Sequence, residues 1–304
     1  MDIKPHFETT AATSVDVDTD DARWSRTKPL THPLLWFFLL TYAATWVCWA
    51  TAGAISHGTE PATPTLAVLA GAMLLLGTFA PALVAIALTE RTEGRAATRA
   101  LLRRVFKFRV AARWYVFALG YMLTVKLSVA LLHRLASGEW PRFGQEEWYL
   151  MAAAIAVSTW VQAGEEIGWR GYALPRMSDQ FGLASASVML GIIWATWHLP
   201  LFLAPGSDTF GQSFPLYLLQ VTAVSVAAAW LYWRTNGSLL LVMLLHASIN
   251  NTKDIVPSVV PAATNPLALS TSLVAWLTVA VLWVVAACLL GQMARAGPAS
   301  RHAA

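Results

Sequence analysis

Two adjacent carboxylates, Glu165 and Glu166, and a guanidinium one helical turn on, Arg170, follow an apolar run, Met151 to Val161, that would otherwise read as a membrane helix. A charge at the bilayer centre costs roughly 2.5–3.5 kcal/mol on insertion scales, so ionisable groups there mark a function by default. Glu166 and Arg170 are four apart, share a helix face and neutralise each other. Glu165 points about 100° away and lacks that local partner. The pair can divide the work, one carboxylate ionised against Arg170 and the other available for proton transfer. The structural alternative is a pair of interface charges anchoring a helix end. Gly164 and Gly168 add a small-xxx-small pattern that admits a neighbouring helix closely.

Two further polar clusters stand in apolar surroundings. Trp194 and His198 are i,i+4 neighbours near the end of a helix, and Pro200, which has no N–H to donate, frees the carbonyl of Thr196 beside them. His246 and Asn250 repeat the i,i+4 spacing after the run Leu239 to Leu245. Taken singly, each reads as a core histidine or as interhelical glue. Of seven His residues, only His198 and His246 lie well inside apolar spans, and the constellation carries the inference.

The residue types restrict the chemistry. There is no His-Glu-x-x-His zinc signature, no Gly-x-Ser-x-Gly elbow, and no Asp within a span to form an aspartic dyad. What remains is carboxylate plus imidazole as general base for a water, with imidazole and amide donors to hold an oxyanion. That set suits hydrolysis of a peptide bond inside a membrane.

The elements that position these groups are membrane helices. The chain is 57% hydrophobic and 12% charged, with fifteen Trp in 304 residues, against about 25% charged in soluble chains. The repeated apolar runs are long enough to cross a core of roughly 30 Å. They are too long for barrel strands, which leaves an all-α polytopic bundle. Spans are expected at about 34–55, 64–88, 113–134, 150–173, 184–204, 215–233, 238–252 and 269–292, eight in all. With both termini cytoplasmic, seventeen Lys/Arg fall inside and three outside, with Lys126 mid-span, as the positive-inside rule requires. A plasma (inner) membrane location follows as the expectation. Residues 1–32 read as a disordered cytoplasmic tail with no evident cleavable signal. The segment 91–113 reads either as an amphipathic stretch on the cytoplasmic membrane face or as a solvated topogenic loop. Cys48 and Cys288 fit no disulfide framework, and no nucleic-acid surface is present.

The three motifs together, Glu165-Glu166-x-x-x-Arg170, Trp194-x-x-x-His198 and His246-x-x-x-Asn250, resemble those of the CAAX protease and bacteriocin-processing family of intramembrane endopeptidases, which includes the Rce1-like prenyl-protein proteases. The extension Arg170-Gly-Tyr-Ala-Leu-Pro-Arg176 resembles its bacterial members. The resemblance covers about residues 150–252, framed by N-terminal helices with a basic loop over 33–149 and a C-terminal helix and tail over 253–304. It implies that Glu165 and His198 activate the water, that His246 and Asn250 stabilise the oxyanion, and that Glu166 and Arg170 support the site. Trp194 departs from the family's usual Phe and is expected to narrow the cavity. The implied substrate is a membrane-embedded or lipidated peptide, such as a prenylated CAAX-like or leader sequence. No cofactor is needed on this reading; the alternative is a divalent metal such as Zn²⁺ held by Glu165, Glu166, His198 and His246. The competing class is a non-catalytic transporter or scaffold using the same polar cluster for binding.

One expectation conflicts with simple geometry. At about 1.5 Å per residue, Glu165 lies about 22 Å from a span start at 150, and His198 about 21 Å from an opposite start at 184. In a core of roughly 30 Å these depths miss each other by about 13 Å. Either the helix carrying Glu165 begins later and runs to Arg176, or the helix carrying His198 begins below the membrane.

Overall fold

The computed structural model describes residues 32–56, 63–257, 265–269 and 272–295. The tail expected over 1–32 lies, but for His32, outside the described residues, as does the end of the chain after Arg295. Every regular element among the described residues is helical. The long helices are α1 (Pro33–Ser56), α2 (Pro64–Arg103), α3 (Ala112–Ser137), α7 (Leu183–Trp197), α9 (Phe214–Arg234) and α11 (Leu273–Arg295). With α7 extended through α8 (Leu199–Leu203), these six runs are long and apolar enough to cross a membrane. The remaining two expected spans are of another kind. One is a composite: α4 (Trp148–Val161), α5 (Ala163–Glu166), a π-helical turn (Ile167–Ala173) and α6 (Leu174–Phe181). The other, α10 (Leu239–Thr252), has only 14 residues.

The outer helices show the burial pattern expected of a lipid-facing surface. In α1 the buried residues are Phe37, Thr41, Thr45, Trp49 and Ala52, a stripe at helical spacing. Its other faces leave Leu39, Leu40 and Val47 exposed, as Val68, Leu83 and Val116 are on α2 and α3. Soluble monomers rarely expose apolar surface on this scale. The chain is an integral membrane protein of all-α architecture.

Small residues bring the inner helices together. Pro81 within α2 has no N–H for the carbonyl of Gly77, and the Thr45 hydroxyl of α1 donates to that carbonyl instead at 2.8 Å. The same proline faces Gly168, where an added Cβ would lie 2.6–2.7 Å from Pro81 atoms, backbone included. Gly164 meets Thr78 and Phe79 in the same way, and Gly191 of α7 meets Thr222 of α9. The composite segment therefore lies flush against α2, and α7 against α9.

Only half of the first alternative meets the depth conflict: the segment starts no later, at Trp148, but it runs on past Arg176. The helix carrying Glu165 does not end at 173 but continues through the π turn to Phe181. After Gly182, whose φ of 76° makes the reversal, α7 returns beside it. Glu165 lies 16 residues before Phe181, and His198 15 residues after Leu183. At about 1.5 Å per residue both stand about 22–24 Å from the shared turn.

The segment after α2's apolar half is helical rather than a loop. The helix is interrupted at Gly94 (φ 84°, ψ 176°) and resumes, and Thr98, Leu101 and Val105 are buried, Leu101 close to Gly171. Its apolar face is thus turned mainly onto the protein, with Phe106 and Phe108 exposed. Lys126, buried on α3, donates to the Val256 carbonyl at 3.0 Å and lies 3.4 Å from the Thr278 hydroxyl, joining α3 to the end of the α10 segment and to α11.

The close approaches define a stability test. Gly168→Ala should destabilise the protein by about 1–3 kcal/mol, seen as a lower thermal unfolding midpoint in detergent. Gly120→Ala on α3, where an added Cβ meets nothing within 4 Å, should change stability by less than about 0.5 kcal/mol. Equal effects at both positions would refute the packing account.

Candidate active site

The three sequence clusters converge on one another within the bundle. Glu166, fully buried, accepts hydrogen bonds from Arg170 Nη1 at 3.0 Å on Oε1 and 3.1 Å on Oε2. The pair forms across the junction where α5 passes into the π-helical turn. Single π-helical turns are rare and concentrate at functional sites. Here all seven residues of the turn are buried. His246 Nδ1 adds a third contact to Glu166, 2.8 Å from Oε1. A carboxylate can only accept, so Nδ1 carries the hydrogen, and Nε2 faces away from Glu166.

His198 is oriented by the end of its own helix. Pro200 stops α7, and the last turn tightens so that the His198 N–H bonds to the Ala195 carbonyl, three residues back. The Trp194 carbonyl, the partner an α-helix would have used, accepts from His198 Nδ1 at 2.9 Å. A carbonyl likewise only accepts, so His198 presents an unprotonated Nε2. The freed Trp197 carbonyl accepts from the Trp46 indole at 2.9 Å, and the Tyr42 hydroxyl donates to the Ile193 carbonyl. Two side chains of α1 thus hold the broken end of α7.

Glu165, 6% exposed, accepts from the Trp194 indole N–H at 2.7 Å on Oε2. The Trp194 ring covers the Arg170 guanidinium at 4.3 Å and stands edge-on to His246, with ring centres 5.1 Å apart. A phenyl ring has no N–H, so Trp194 does more than narrow a cavity. His198 is half-buried among aromatic rings: Trp197 at 4.7 Å, Tyr217 at 5.6 Å, Trp194 at 6.0 Å and Trp49 at 6.1 Å. Glu165 and His246 are close enough to act on its charge.

Glu165, Glu166, Arg170, His198 and His246 are therefore brought together. Asn250 follows His246 by one turn of α10 with its side chain exposed, and it makes no contact with the other five that compares with theirs. Its neighbour Asn251 is engaged instead, donating to Ser158 of α4 at 3.0 Å and to the Ala247 carbonyl. Sequence reasoning missed Trp49, Tyr217 and the α1 donors. They lie far from the motifs along the chain, and only the excess of Trp pointed toward aromatic packing.

The alternative metal set fits these positions poorly. Both oxygens of Glu166 are engaged by Arg170 and one also by His246, and the fixed charge of Arg170 opposes a nearby cation. Among the described residues, no three or more His, Cys, Asp or Glu side chains are grouped to hold a metal ion.

Comparison with known proteins agrees with the motifs. Residues 146–252 match the family described as type II CAAX prenyl endopeptidase, Rce1-like, almost the span over which the motifs resemble it. The chain is also 21% identical over 236 residues to the CAAX prenyl protease 2 of Methanococcus maripaludis, covering 72% of this chain and 83% of that protein.

A buried charge that loses its partner costs more than the pair contributes. Arg170→Met should lower stability by about 3–5 kcal/mol, and Glu166→Gln placed in the same chain should restore much of it. Thermal unfolding of the single and double variants in detergent checks this. Absence of any restoration would show that Glu166 and Arg170 are not energetically paired.

Proposed function

We propose that this chain, which carries an Rce1-like region over residues 146–252, is an intramembrane endopeptidase. On this reading it hydrolyses a peptide bond of a membrane-anchored substrate, such as a prenylated CAAX-like or leader sequence. The observation that carries the reading is the meeting of Glu165, His198 and His246 in an otherwise apolar bundle, with both imidazoles holding Nε2 free. The name of the Methanococcus relative, a prenyl protease, supports the same class.

In the reaction, a water lies between Glu165 Oε1 and His198 Nε2. Oε2 of Glu165 is committed to the Trp194 indole, so Oε1 takes the proton as the water oxygen bonds to the scissile carbonyl carbon. The carbonyl oxygen becomes an oxyanion. His246, protonated against the Glu166 carboxylate on Nδ1 and keeping that proton throughout, donates to it through Nε2–H. Collapse of the intermediate breaks the C–N bond, and the proton held by Glu165 passes to the leaving amine. Every group required belongs to the protein, and we infer a metal-free mechanism. The bias of Lys and Arg supports an orientation with both termini and the basic segment 91–113 on the cytoplasmic side, and we infer the plasma membrane as the location.

The test uses the purified full chain in detergent or liposomes with an internally quenched farnesylated CaaX peptide and a membrane peptide library. Glu165→Gln, His198→Ala and His246→Ala should each lower cleavage by at least about 100-fold, the scale of a lost acid–base catalyst, without loss of expression. Activity should survive exhaustive chelation. Full activity of Glu165→Gln would sink the mechanism, and loss on chelation with recovery on Zn²⁺ would replace it with a metal-assisted one. No cleavage across the library would return the cluster to a binding role.

A further inference from the structure

Trp194 touches four of the five charged or titratable members of the site, all but Glu166, through its indole N–H, its ring and its backbone carbonyl. Its indole N–H donates to Glu165, its ring face covers Arg170, its ring packs edge-on against His246, and its backbone carbonyl accepts from His198. Packing alone accounts for the ring contacts, since apolar neighbours are ordinary in a core. It does not account for the N–H, aimed at one carboxylate oxygen at 2.7 Å from a side chain only 4% exposed.

The contact has a directional consequence. Glu165 has no Arg on its own helix face, because Arg170 is engaged with Glu166. Without another donor its carboxylate could rotate and present either oxygen, or both, toward the site. A hydrogen bond to Oε2 removes that freedom and leaves Oε1 with a defined direction. Proton transfer requires the base and the transferred proton to be in hydrogen-bond register, and a misplacement of about 1 Å can cost about 100-fold.

We propose that Trp194 is a positioning residue whose indole N–H fixes the Glu165 carboxylate in the orientation used to take a proton from water. It does not contact the reacting atoms itself. The assignment rests on Glu165 being the base, as proposed above.

Two measurements test it on the full-length protein. In the first, Trp194→Phe is assayed against the internally quenched farnesylated CaaX peptide. The kcat should fall by about 10–100-fold with KM little changed, because substrate binding is not what the N–H serves. Should Trp194→Phe fold poorly, Trp194→3-benzothienylalanine keeps the bicyclic shape and carries sulfur in place of the N–H. It should show the same kcat loss while still unfolding in a cooperative thermal transition. In the second, the ¹⁵N-labelled indole signal of Trp194, assigned by its loss in Trp194→Phe, should move in Glu165→Ala and stay in place in Gly120→Ala.

Wild-type kcat in the benzothienyl variant, or an indole signal indifferent to Glu165→Ala, would overturn the proposal. A raised KM at unchanged kcat would do the same, by showing that the residue shapes substrate binding. If the wild type cleaves no peptide while the indole signal follows Glu165, the failure lies in the proteolytic reading. The hydrogen bond then stands and its catalytic purpose falls.

Discussion

The structure depends on keeping one ionised carboxylate, Glu166, out of water. Moving an isolated charge into a low-dielectric interior costs several kcal/mol even after relaxation, and Glu166 is fully buried with three hydrogen-bonding contacts to its oxygens. These contacts, and the ring that covers Arg170, tie three elements together. Arg170 commits the π-helical turn, His246 commits α10, and the ring covering Arg170 commits α7. The short helix α10 is held by this contact to the composite segment, while its apolar sides pack on α3 and α4. The electrostatic requirement of one side chain thus reaches three passes of the bundle.

A second constraint runs beside it: in lipid, each backbone carbonyl released by a helix break has to find a donor. The breaks surround the site. Pro81 releases Gly77, which Thr45 satisfies; the stop at Pro200 leaves Trp197 and Trp194, satisfied by Trp46 and by His198 itself. Most of these donors come from α1, which contributes none of the motif residues. Its polar and aromatic stripe, Tyr42, Thr45, Trp46 and Trp49, serves as a splint for the irregular backbone of α2 and α7. The irregularity is useful because an unbroken α7 would have used the Trp194 carbonyl within its own ladder, leaving the imidazole unoriented.

Much of this was legible in the sequence. Charges are so costly in apolar runs that Glu165, Glu166 and Arg170 announced themselves, and the i,i+4 spacings of 194/198 and 246/250 correctly placed each pair on one helix face. The eight apolar runs all fall on helical segments, six of them long and apolar enough to cross a membrane. The continuation of the composite segment to Phe181 was not legible, because hydropathy falls after Ala173 while the backbone stays helical, buried against protein instead of lipid. The indole–carboxylate bond was hidden for another reason. Trp194 and Glu165 are 29 residues apart, and nothing in local spacing reports a contact between separate helices. The position of Asn250 marks the limit of periodicity: it follows His246 by one turn as expected, yet periodicity could not say that its side chain would be exposed.

The shortness of α10 bears on how the protein is made. At 14 residues it spans about 21 Å, less than the roughly 30 Å of hydrocarbon it has to serve, and it carries His246, Asn250 and Asn251, all disfavoured in lipid. Hydropathy alone gives the insertion machinery weak grounds to release such a segment sideways into the bilayer. Its place is secured by the neighbours that enclose it, with ten of its residues buried. During synthesis, α3, α4 and α9 precede it from the ribosome, so the walls of its berth exist before it arrives. The last motif then enters a partly assembled protein, and the charged site closes only after most of the chain has been made.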